Sequence, residues 1–377
     1  MTESIRNFVD LMRKLCPPDK VLIWLIAGLT VFGLVMLTSA SGPLGYQKFG
    51  DSLYFLKNQL TKGLLPGTVL FALFTIIDYR KLRKLAMPAL IISILLLILV
   101  FIPGLGVTIG GSSRWVNLGP FGFQPSELVK VTFLLYVAAW LASRSGGDAK
   151  TVERGLVPFL SILGVVMFLL VVQPNTGSMI VIAGSALLTY FIAGAPFVWF
   201  MGLGAAGVGL VAILIKLTPY RAARFMTFLH PELDPQGIGY HINQAFLAIG
   251  SGGLFGLGYG HSRQKYLYLP EVAGDSVFAV MAEEMGFFIM LLFIVALGAL
   301  VWKCFSIARN SSDEFGTFLA TGIGGWIALQ SFFNIGSMIG LVPMTGVTLP
   351  FVSYGSSAFI ALCVGCGMVA SISRQQR

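Results

Sequence analysis

Between residues 20 and 371 the sequence falls into ten apolar runs, at roughly 20–40, 58–77, 85–102, 125–143, 156–172, 177–194, 197–216, 276–302, 314–336 and 355–371. A helix crosses a hydrocarbon layer about 30 Å thick with about 20 residues. Few folds are open to such a chain, because backbone groups in lipid must be satisfied within helices or a closed barrel. Barrel strands are about half as long, so the runs point to helices. Composition agrees: 56% of residues are hydrophobic, 11% are charged and mean hydropathy is +0.84. The expected fold is an all-α polytopic membrane protein of about ten transmembrane helices. Residues 1–19 read as an inner tail feeding an uncleaved first span, 20–371 as one membrane domain and 372–377 as a second inner tail.

Lysine and arginine placement orients the bundle. With both termini on the cytoplasmic side, 15 of the 25 basic residues fall in the tails and inner loops, among them Arg80, Lys81, Arg83, Lys84, Arg144, Lys150, Arg154, Lys303 and Arg309. That is the positive-inside pattern. Two outer segments are long. One is 103–124; the other, 217–275, connects spans seven and eight and is too long for a structureless connector. Within it, Ala222–Leu229 and Tyr240–Ile249 mix apolar and polar residues as surface-lying helices do. The net charge of +9 is dispersed among loops, which excludes a nucleic-acid partner and favours anionic headgroups and a phosphate-bearing substrate. Cys363 and Cys366 have a redox-like spacing but lie in an apolar run without a second pair; with Cys16 and Cys304 they read as small hydrophobes.

Charges inside the runs are the costly feature, at about 2.5–3.5 kcal/mol or more each at mid-bilayer. Glu283 and Glu284 lie two turns into the eighth span, beyond Asp275 at its mouth. At most one of them shares a helix face with Asp275. An ion pair with a cation on another span is their plain explanation, and Lys130 is a natural partner. Glu127 and Lys130, in Gln124-Pro125-Ser126-Glu127-Leu128-Val129-Lys130, are i, i+3 neighbours and also suit a local pair. Asp275 reads either as an N-cap or as a catalytic acid or base. Arg114, Arg263 and Lys265 lie on the outer side, where they suit phosphate binding or snorkelling to headgroups. The glycines at 256–260 lack the Gly-Lys-Ser/Thr of a nucleotide loop. His230, His241 and His261 show no ligand spacing and read as hydrogen-bonding loop residues. Residues 334–357 are proline- and small-residue-rich and read as a re-entrant segment, buried or lining a cavity.

Five stretches carry a resemblance: RWVNLGPFGFQPSELVK (114–130), QPNTGSM (173–179), 220–271 ending in SRQKYLYLPE, DSVFAVMAEEMGF (275–287) and NIGSMIGLVPMTGVTLPFVSYGSS (334–357). Together they resemble the SEDS family (shape, elongation, division and sporulation), and its FtsW division branch more than its RodA elongation branch. The resemblance implies a peptidoglycan glycosyltransferase that polymerises lipid II on the outer face of the bacterial cytoplasmic membrane. It implies partnership with a class B penicillin-binding transpeptidase and other divisome membrane proteins. The family's essential aspartate matches Asp275, although Ala273-Gly274 and Ser276 stand where the family has His-Thr and an aromatic. Joining sugars with inversion requires a base on the acceptor 4-hydroxyl and positive charge at the departing pyrophosphate. Asp275 is the expected base. Arg114, Lys130, Arg263 or Lys265, with or without a divalent cation (Mg or Mn), would hold the pyrophosphate. Glu127, Glu283 and Glu284 would organise the cavity, and Gln124, Glu271 and Ser353 complete the expected substrate-binding set. A lipid-linked oligosaccharide flippase accounts for buried charges too, and a non-catalytic division scaffold accounts for the outer loop.

Overall fold

The computed structural model describes residues 17–109, 112–118, 121–231, 237 and 239–376. Most of the expected N-terminal tail, with Cys16, lies outside them. The helices are α1 (Lys20–Phe49), α2 (Tyr54–Ile76, with a π-helical stretch Gln59–Leu64), α3 (Tyr79–Leu99), α4 (Pro125–Leu141), α5 (Val152–Val172), α6 (Thr176–Ile192), α7 (Phe197–Leu217), α8 (Pro219–Leu229), α9 (Tyr240–Gly252), α10 (Val277–Arg309), α11 (Glu314–Met338) and α12 (Ser356–Ser373). Eight are long and apolar enough to cross a membrane; α4 and α6, at the fourth and sixth expected spans, have 17 residues each. The chain is a multi-pass membrane protein.

Burial sorts these helices. Nearly every side chain of α4 is buried, and α11 packs against α4, α6, α10 and α12. They form the centre, with α2 on α12, α3 on α4 and α1 on α10. α7 buries nothing in its most apolar window and lies at the rim. One end of the bundle is stitched by polar contacts. Asp19 caps α1 through Leu22 N (3.0 Å) and pairs with Lys303 at 2.6 Å, and Tyr79 donates to Asp313 at 2.6 Å.

The two long connecting segments are more ordered than their composition implies. The strands β1 (Gly106–Ile109), β2 (Ser112–Leu118) and β3 (Phe121–Phe123) pair as an antiparallel meander, with Val107 opposite Trp115 and Val116 opposite Phe123. α8 and α9 stand at the two stretches expected to lie on a surface. α9, however, buries Ile242, Ala245, Ala248 and Gly252 and packs on α10, so it belongs to the bundle.

α10 is two helical stretches joined at Gly286, whose φ of 70° and ψ of −179° no helix contains. The break separates the carbonyls of Glu283 and Glu284 from the amides of Phe287 and Phe288, which would have closed the next turn. All four find partners in the segment after α9. Leu257 N donates to Glu283 O (2.9 Å), Gly258 N to Glu284 O (3.0 Å), Phe287 N to Gly253 O (3.0 Å) and Phe288 N to Leu254 O (3.3 Å). So close an approach needs glycine on both strands of the crossing. A Cβ on Gly256 would stand 2.2 Å from Glu284 O, and one on Gly286 2.2 Å from Gly256 N, each at positive φ. Gly256→Ala and Gly286→Ala are therefore each expected to destabilise the detergent-purified protein by on the order of 1–3 kcal/mol or more, read as a fall in Tm. Gly298→Ala, also on α10 but in open space, is expected to leave Tm unchanged or raise it.

Candidate active site

Asp275 is not a cap: Ser276 holds the N-cap position of α10, and its side chain caps nothing. Instead the Gly274-Asp275-Ser276 turn is gripped through its backbone. Gly274 N and Ser276 N donate to Glu271 O at 2.9 and 3.2 Å. From residues 339–355, which are irregular and turn back into the bundle, Ser353 Oγ donates to Gly274 O (2.6 Å) and Tyr354 N to Ala273 O (2.7 Å). Asn334 of α11 donates to Asp275 O at 2.9 Å. His241 of α9 meets Ser276 Oγ at 2.5 Å through Nε2. Both flanking segments carry strained backbone, with Glu271 at φ 50° and Phe351 at φ 66°, at about 1–2 kcal/mol each. The Asp275 side chain is half-buried and its Oδ2 lies over Gly346, where a Cβ would stand 3.8 Å away. Backbone fixed on four sides beneath a partly buried carboxylate suits a general base.

A second charged centre lies on α4. Lys130, 2% exposed, donates to Glu127 Oε1 (2.7 Å) and Gln330 Oε1 (2.9 Å) and lies 5.8 Å from the Trp326 ring centre. The local i, i+3 pair is thus the one that forms, and Lys130 does not pair with Glu283 or Glu284. Gln330 ties this centre to the irregular segment by donating to Thr348 O at 3.0 Å. Glu127 Oε2, Asn334 Oδ1 and Thr345 Oγ1 are buried without a protein partner.

The remaining expected residues divide by geometry. Glu284 pairs with Lys265 at 2.8 Å, and Ser39 of α1 bonds to both. Glu283 faces no cation; Ser262 Oγ and the amides of Arg263 (3.0 Å) and Gln264 (3.3 Å) bind its carboxylate. Both carboxylates are 1% exposed and Lys265 is 3% exposed, so this trio anchors the outer segment to α10 rather than facing a ligand. Arg263 and Glu271 are exposed, the former lining an outer cavity of about 620 Å³ with Tyr266 and Tyr268. Arg114, on β2, donates to the carbonyls of Gln173 and Pro174 just past α5, the favourable place for a cation. Gln124 N donates to Ser357 Oγ (3.2 Å) at the end of a nearly all-apolar groove of about 410 Å³ between α2, α3, α4 and α12, lined by Leu70, Phe74, Leu85, Leu128, Ile360 and Val364. Asp275 lines neither cavity. His241 was readable only as a loop residue; Gln330 and Asn334, amides four apart in an apolar run, carried a sequence signal that went unused.

The family model for the cell cycle proteins FtsW, RodA and SpoVE matches residues 20–377. The chain belongs to that family. Stage V sporulation protein E of Bacillus subtilis (strain 168) is 38% identical over 362 residues, 96% of this chain and 98% of that protein. A probable peptidoglycan glycosyltransferase FtsW of Trichlorobacter lovleyi is 36% identical, covering 97% of this chain and 96% of its own. Among solved structures, this FtsW-like chain is similar to a chain of a peptidoglycan synthase complex that coordinates polymerization and crosslinking (TM-score 0.78, 30% identity, 95% of this chain and 98% of that one). It is also similar to the rod shape determining protein RodA of Thermus thermophilus (TM-score 0.70, 29% identity, 95% and 97%).

Removing Lys265 strands Glu284 in an apolar interior, which costs about 3–5 kcal/mol for a buried pair. Lys265→Met is therefore expected to lower Tm sharply. Lys265→Met with Glu284→Gln is expected to recover most of the loss; an uncorrected double variant would show that the pair's charge is not what anchors the segment.

Proposed function

We propose that this family member is a peptidoglycan glycosyltransferase that polymerises lipid II on the outer face of the cytoplasmic membrane, in septal wall synthesis. The observation that carries this reading is the partly buried Asp275 at the mouth of α10, on a backbone held by α11 and residues 339–355. The names of its relatives point the same way. Asp275 takes the proton of the acceptor 4-hydroxyl as that oxygen attacks the donor's anomeric carbon. The bond from that carbon to the pyrophosphate oxygen breaks with inversion, and the polyprenyl pyrophosphate leaves with the bonding electrons. Lys130 supplies positive charge from within the same hydrogen-bonded seam, and Arg263 supplies it from the exposed outer loop; Lys265 and Arg114 act on the protein's own groups. The groove beside Gln124 takes the polyprenyl tail.

A divalent cation at the pyrophosphate was the remaining expectation. Among the described residues no three His, Cys, Asp or Glu side chains converge, so such an ion would be held by the pyrophosphate oxygens with one or two carboxylates at most. Of the charges that would favour a flippase, Glu284 and Lys265 neutralise each other in a buried pair. The partner is a class B penicillin-binding transpeptidase, in keeping with the synthase complex that the fold resembles. The distribution of basic residues supports both termini being cytoplasmic.

With purified lipid II and a cognate transpeptidase present, Asp275→Asn is expected to stay folded and lose about 10²–10⁴-fold in glycan polymerisation. Equal product from both forms would remove Asp275 as the base, and no product from the wild type beside an active control polymerase would remove the enzyme reading. Ala89→Trp, which narrows the apolar groove, is expected to raise KM for the long-tailed substrate and to spare a short-tailed analogue.

A further inference from the structure

Asn334 is completely buried in α11, a helix that touches neither sugar nor lipid in the mechanism above. Its side-chain amide has two hydrogens, and both are used on backbone carbonyls of two different segments. One goes to Asp275 O at 2.9 Å and the other to Val347 O at 2.7 Å. Val347 follows Gly346, the residue over which the Asp275 carboxylate lies. One side chain therefore sets the distance between the base and the surface facing it.

The same helix face reaches the other charged centre. Gln330 stands one turn before Asn334 and is also buried. Its Oε1 accepts from Lys130 at 2.9 Å and from Trp326 at 2.6 Å, while its Nε2 donates to Thr348 O. Trp326, Gln330 and Asn334 follow one another at four-residue steps, so they share one face of α11. Along that face the anchor of Lys130 and the anchor of Asp275 are about 6 Å apart, the rise of four residues. An inverting displacement needs its base and its leaving-group cation on opposite sides of one carbon atom. A rigid spacer between them fixes that geometry before substrate arrives.

We propose that Asn334 is a positioning residue for the glycosyl transfer: through Asp275 O and Val347 O it holds the base at a set distance from Gly346 and, with Gln330, in register with Lys130. The proposal rests on the glycosyltransferase reading. Because Asn334 acts on the backbone beneath the base and not on the bound substrate, its loss separates turnover from binding.

The test uses the full chain in detergent with its transpeptidase, lipid II as the probe, and kcat, KM and Tm measured together. Asn334→Ala removes both bonds; Asn334→Asp keeps the shape but sets a carboxyl oxygen against the two carbonyls. Both are expected to lower kcat on the order of 10–100-fold, with KM within about twofold of wild type and a folded, monodisperse protein. Ser337→Ala, which removes a bond between Ser337 and Asn334's own carbonyl, is expected to leave kcat unchanged. Wild-type kcat in a folded Asn334→Asp overturns the proposal, and so does a loss that tracks unfolded protein in both variants, since Asn334 then only supports the bundle. A wild type that polymerises while Asp275→Asn does not shows that such a failure belongs to Asn334 and not to the enzyme reading; a wild type that makes no glycan overturns both.

Discussion

A helix broken inside a membrane bundle leaves backbone groups that no water can satisfy, each costing several kcal/mol if orphaned. At Gly286 the two carbonyls before the break and the two amides after it bond to residues 253–258, and the rest of the outer architecture follows from that crossing. The segment after α9 must lie against α10, which brings Ser262, Arg263 and Gln264 to the Glu283 carboxylate and Lys265 to Glu284. Two adjacent buried acids are thereby neutralised in different ways, one by backbone and hydroxyl donors and one by an ammonium. The Asp275 turn then begins a helix whose first turns are fixed from outside.

That arrangement separates holding from acting. Glu283, Glu284 and Lys265 are buried and paired or hydrogen-bonded, whereas Asp275 is partly buried on a fixed backbone. Lys130 is intermediate, buried and paired, yet linked through Gln330 to the segment facing Asp275. Two of the strained residues, Glu271 and Phe351, lie beside the same turn, where they preorganise the site.

The sequence made some of this readable. Apolar runs located the helices because a lipid-spanning segment has one way to satisfy its backbone. The Glu127–Lys130 pair was legible because it is local, three residues apart on one helix. The Lys265–Glu284 pair was not, because it depends on a long outer segment doubling back, and nothing in the spacing says which buried acid a distant lysine will meet. The glycines at 250–260 were visible as a cluster, but their purpose is a close backbone approach to a helix that comes later in the chain. Asp275 stands one residue ahead of Ser276, which holds the N-cap position of α10, because N-capping is decided by one residue of register. Asn334 sits in a motif that was noticed as a whole, while its two hydrogen bonds reach segments far apart in sequence.

The crossing at Gly286 also governs how the outer segment can change over evolutionary time. Loops on membrane proteins ordinarily accept insertions, but between Gly252 and Lys265 the spacing is set by a row of bonds to one helix, so a single added residue would misalign all of them at once. A long connector thus contains one stretch with the inflexible length of a core strand, fixed by its bonds to α10.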